Sequence, residues 1–139
     1  AGIRDPLWSR GLGDVYKRQQ RLLMYAGDAI NGFLEDMERI GMAEHVALMV
    51  FSEFGRRVGE NANLGTDHGT ANTMFLAGKQ VIGGHYGEPP ILGLLDETDN
   101  LIHTTDFRRV YATAIESWLR SSNSTDILKG NFKPFPIFS

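Results

Sequence analysis

HVALMVF, His45 to Phe51, is the stretch on which the fold turns. After the histidine it is apolar without a break. A strand with one wet face alternates apolar and polar residues; an unbroken apolar run suits a strand covered on both faces, as in a parallel sheet. Upstream, Ala26, Ile30, Phe33, Leu34, Met37 and Ile40 recur at helical spacing across Gln20 to Ile40. Glu35, Asp36, Glu38 and Arg39 occupy the other side, so the segment reads as an amphipathic helix. Gly41 stands where a helix C-terminal cap is expected. Helix, short turn and buried strand make half of a βαβ unit, and the expected class is α/β with a mostly parallel sheet.

Downstream, the expected strand ends at SEFGRR. Residues 57–70 are polar and glycine-rich, which predicts a loop. TMFLAG, Thr73 to Gly78, predicts a second short strand, and VIGGHYGEPPILG a bent edge strand or loop. Asp106 opens a second predicted helix, DFRRVYATAIESWL, with Phe107, Val110, Tyr111, Ala114, Ile115, Trp118 and Leu119 as its apolar stripe. The TTD before it supplies N-cap candidates. The tail ILKGNFKPFPIFS, with two prolines and spaced aromatics, is expected to lie extended over the domain.

Residues 2–19 follow none of these patterns. GIRD and SRGLGDVYKRQ reverse-translate without a gap into the adapter of transposase-based sequencing libraries, in the adapter's own order. Residues 1–19 are therefore read as adapter-derived and set apart from the fold. Residues 20–139 are read as the C-terminal portion of one domain, and the missing N-terminal half of the same chain is an expected partner. From Gln20 onward there are 10 Lys and Arg against 15 Asp and Glu, a net charge of −5. An acidic surface argues against nucleic-acid and anionic-membrane binding. No apolar run approaches the ~20 residues of a membrane helix. The absence of cysteine excludes disulfides, zinc–thiolate sites and cysteine nucleophiles.

Ligands of open α/β sheets gather beyond the carboxyl ends of the strands. Glu53 sits just past one such end, and Asp67 and His68 lie in the loop leading to the next strand. Carboxylate oxygen and imidazole nitrogen together suit zinc, manganese or a related divalent ion. Gly65 and Gly69 would let the loop turn sharply enough for both neighbours to face one cation. Thr66 and Thr70 would bond the loop backbone or orient the carboxylate. Arg56 or Arg57 would bind an anionic oxygen, where the guanidinium fork fits best. The structural alternative is a polar loop tip, with Glu53 capping a turn or paired to Arg56 or Arg57. His45 and His85 are expected at the surface, and His103 in local hydrogen bonding. Neither Thr66 nor Thr70 has a base at motif spacing, so neither is read as a nucleophile.

FSEFGRRVGENANLGTDHGTANTMFLAGKQVIGGHYGEPPIL, then HTTDFRRVYATAIESWL, then ILKGNFKPFPIF resemble the C-terminal part of the bacterial domain of unknown function 1501 family. The likeness runs from about Leu22 to the end, and SEFGR, GTDHGT and TDFRRVYAT in this order carry it. Thr73 departs from the proline usual before the MF strand. That family in turn resembles the alkaline phosphatase and sulfatase superfamily. The resemblance implies a three-layer α/β sandwich, of which this chain would be a partial, C-terminal piece. It implies export by the twin-arginine route to the periplasm or beyond, and hydrolysis of small-molecule phosphate or sulfate esters with divalent metals (zinc, manganese or calcium). In it His68 resembles a late metal-ligand histidine and Asp67 a co-ligand. Glu53 stands where the superfamily has the Asp of an Asp-His pair, and Phe54 stands at the histidine. The nucleophile would lie upstream, leaving this chain inactive by itself. The alternative is a non-catalytic binding or assembly protein with the same fold.

Overall fold

The structure is a computed structural model, and it describes the backbone of residues 7–63 and 65–139 and the side chains of residues 19–63 and 65–139. Residues 1–6 of the stretch read as adapter-derived, and the side chains of residues 7–18, lie outside the described residues.

Helix α1 spans Leu7–Arg39. It closes as the sequence predicts. Gly41 adopts φ 73°, its N–H donates to Glu38 O at 3.0 Å, and the Met42 N–H reaches Met37 O at 2.8 Å. This paired closure satisfies carbonyls that a helix end otherwise leaves open, and glycine takes the left-handed position without a Cβ penalty. Ile30, Leu34 and Met37 are half-buried, whereas Phe33 and Ile40 remain exposed. The predicted stripe is therefore covered along its centre and open at its sides.

A 3₁₀ turn, Ala43–His45, leads into β1, Leu48–Val50. β2 is Gly55–Glu60, β3 Thr66–Gly69 and β4 Phe75–Ala77. β1 pairs with β4 antiparallel, Met49 opposite Leu76, and β2 pairs with β3 antiparallel, Gly55 opposite Gly69 and Arg56 opposite His68. The described residues thus hold two separate two-stranded antiparallel sheets. This overturns the mostly parallel sheet and the three-layer sandwich. A parallel pair needs a crossover, usually a helix, between its strands. The chain between β1 and β4 holds the β2–β3 hairpin instead, and its return brings β4 back against β1 in the opposite direction. Nor is the apolar run covered on both faces, since Val50 is 38% and Phe51 55% exposed.

Residues 57–70, expected as a loop, instead form most of a hairpin. Two of its glycines, Gly55 and Gly69, serve close backbone approach. A Cβ on Gly55 would lie 1.5 Å from the carbonyl oxygen of Ala71, and one on Gly69 would lie 2.9 Å from the carbonyl carbon of Arg56. Glycine inside a strand marks such contacts.

Helix α2, Arg108–Thr113, runs on as a π-helical turn over Ala114–Trp118, and a short α3 follows at Ser124–Leu128. Asp106 supplies the expected start. Its Oδ1 accepts the Arg108 N–H at 2.9 Å, and its Oδ2 meets Arg108 Nη2 at 2.6 Å. The core sits between this helix and the extended tail. Ala112, Thr113, Phe135 and Ile137 are buried. The Thr113 hydroxyl donates to Arg109 O at 2.7 Å and accepts the Phe135 N–H at 2.8 Å. Arg108 lies 4.2 Å over the Phe132 ring and Arg109 3.9 Å over Phe135. The tail also bonds back to the loop after β4, through Ile82 N–H to Ile137 O at 2.7 Å and Ser139 N–H to Gln80 O at 3.1 Å. Phe107 and Leu119 of the predicted stripe stay exposed, because the tail covers the Ala112–Thr113 side of the helix instead.

The Asp106–Arg108 pair gives a pH prediction. Bonding to Arg108, opposed by partial burial, holds the Asp106 carboxyl down at about 2. A depressed carboxyl contributes stability above its unfolded value near 3.8, and that contribution is lost as pH falls through about 2. The carboxylate is a third exposed, so solvent screening keeps the effect to about 1 kcal/mol or less. Asp106→Asn is expected to flatten the pH dependence of the urea midpoint between about pH 4 and pH 2. An unchanged slope would show that the pair adds nothing.

Candidate functional site

The β2–β3 hairpin carries most of the candidate residues. Directly opposed residues of an antiparallel pair present their side chains on one face, and successive residues on opposite faces. Arg56 stands opposite His68. Phe54, two residues before Arg56, joins them. Its ring lies parallel to the His68 imidazole, centroids 3.6 Å apart and planes 12° apart. The Arg56 guanidinium carbon is 5.2 Å from the Phe54 centroid, and its Nη1 donates to Thr66 O at 2.7 Å. Arg56 is thereby laid along β3, and the exposed imidazole of His68 is backed by an aromatic plane. Ring stacking and a cation over a ring each contribute about 0.5–1 kcal/mol at such exposed positions.

Asp67 neighbours His68 within β3, so strand alternation sends it to the other face. There its Oδ1 accepts from Asn61 Nδ2 at 2.9 Å. Asn61 also organises the turn between the strands, its Oδ1 accepting the N–H groups of Asn63 at 3.0 Å and Gly65 at 3.1 Å. The sequence reading passed over Asn61. An asparagine opening a short polar turn is the signal that could have found it. Asn61→Ala is expected to cost about 1–2 kcal/mol, because two turn N–H groups lose their acceptor. Proton exchange at Gly65 should speed up in step, and unchanged exchange there would contradict this role.

The remaining candidates fall elsewhere. Glu53 lies exposed in the bend before β2, and among the described residues it forms no ion pair with Arg56 or Arg57. Arg57, half-buried, faces away from Arg56, and its Nε is buried with no hydrogen-bond partner among the described residues. Thr70 donates to Leu101 O at 2.7 Å, tying the hairpin end to the loop before α2. Thr66 offers its backbone oxygen to Arg56. Gly69 has no positive φ and permits strand approach rather than a sharp turn, and Gly65 serves the Asn61 turn. His45, His85 and His103 are all exposed.

Zinc, manganese or calcium would need carboxylate and imidazole groups converging on one point. Asp67 and His68 diverge, and one Asp67 oxygen is bonded to Asn61. Among the described residues no group of three or more His, Asp or Glu side chains could hold a metal ion. Glu53, Asp67 and His68 thus do not fit a shared cation. What the hairpin does assemble is one imidazole and one guanidinium on the same face. Beside them opens a groove of about 650 Å³, lined by Ser52, Phe54, Arg56, Asn72, Phe75 and Leu92 among others. No helix of the described residues is long and apolar enough to cross a membrane.

A hairpin carrying GRRVGE and TDHG, followed by a short helix opening on TDFRRVYAT, is the arrangement behind the sequence resemblance noted above. The chain belongs to the family described as "Protein of unknown function (DUF1501)", which matches residues 13–119. The match includes residues 13–19 and gives no support to reading them as foreign sequence, and it stops before the tail segment ILKGNFKPFPIF. No curated protein matches the chain. No solved structure matches it either.

Proposed function

We propose that the face of β2–β3 bearing His68 and Arg56 binds the anionic group of a phosphate or sulfate ester, as part of a hydrolase of such esters. The observation that carries this reading is the placement of His68 opposite Arg56 across the hairpin. A guanidinium with N–H groups to spare and an exposed imidazole N–H can grip two oxygens of a tetrahedral anion. The neighbouring groove leaves room for the rest of the ester. The choice of ester, and export to the periplasm or beyond, rest only on the superfamily resemblance implied by the motifs SEFGR, GTDHGT and TDFRRVYAT; the two antiparallel sheets add nothing to it. In the reaction water adds across the P–O or S–O bond. The residues here bind and orient the anion, and donors held toward developing negative charge favour the transition state. No nucleophile is assigned among these residues. Glu53, Asp67 and His68 do not converge, so these residues offer no shared metal site.

A second reading, a non-catalytic binding or assembly protein, is favoured by the Phe54 ring lying flat on the His68 imidazole, which closes one side of that group to a ligand.

Calorimetric titration with inorganic phosphate and sulfate tests the anion face. His68→Ala and Arg56→Ala are each expected to weaken binding about tenfold or more, the worth of a charge-assisted hydrogen bond. Binding that both variants leave unchanged would end the proposal. Turnover of aryl phosphates and sulfates by the protein separates the readings, since binding without turnover supports the second.

A further inference from the structure

We draw no further inference here: the strongest candidate, the exposed apolar surface of Leu22, Leu23, Met24 and Tyr25 on α1, carries nothing because nothing in the structure shows what covers it.

Discussion

Phe135→Ala is expected to destabilise the chain by about 3–5 kcal/mol, the range for emptying an aromatic site in a packed core. Phe135 is 8% exposed and comes from the tail, so with Ile137 it is one of two buried apolar anchors of the tail. Three contacts converge on it. Arg109 lies 3.9 Å over its ring, Tyr86 packs against it at 5.9 Å between centroids, and its N–H reaches the buried Thr113 hydroxyl at 2.8 Å. Alanine keeps only the last. Among the described residues only Ala112 and Ile137 are apolar and comparably buried, so little can shift to fill the gap. The urea midpoint followed by far-ultraviolet circular dichroism measures the loss. Phe132→Ala is the control: that ring is half-buried and meets Arg108 at 4.2 Å, and its removal is expected to cost about 1 kcal/mol. Equal losses in the two variants would contradict the assignment of the core.

Gly55→Ala is expected to break the hairpin. Its new methyl would sit 1.5 Å from the Ala71 carbonyl oxygen, a backbone atom that no rotamer change can move aside. Relief needs a backbone shift at the end of β2 costing about 3 kcal/mol or more, the upper range for overpacking. Gly59→Ala, in the same strand, meets nothing within 4 Å and is expected to change stability by no more than about 0.5 kcal/mol. Thermal unfolding of the two variants side by side is the measurement. A tolerated alanine at position 55 would mean that the hairpin does not run against Ala71.

The contrast between these glycines shows where the sequence was readable. The part of α1 from Gln20 on was legible because apolar spacing from Ala26 to Ile40 matches a helix period and Gly41 marks its end by a conformation other residues avoid; its first turns, from Leu7, fall in the stretch set apart as adapter-derived and were not foreseen. The positions of β1 and β4 were legible too, as short apolar runs. Their pairing direction was not. An unbroken apolar run reports apolar surroundings, and neither direction nor partner is encoded in it. The hairpin was missed because a glycine that admits a neighbouring backbone, such as Gly55 or Gly69, looks in sequence like one that lets a loop turn. The site followed suit. Asp67 and His68 are adjacent in sequence, which in a loop permits convergence and in a strand forbids it. Arg56, by contrast, is 12 residues from His68 and meets it only through the hairpin register. Phe54, which the family resemblance placed where a ligand histidine is usual, instead became the plane on which His68 rests.

A two-dimensional nuclear Overhauser spectrum of the protein tests that arrangement most directly. The account predicts cross-peaks from the His68 ring to the Phe54 ring, whose centroid lies 3.6 Å away, together with backbone cross-peaks between Arg56 and His68. Cross-peaks placing the His68 ring beside the side chains of Asp67 and Glu53 would contradict it.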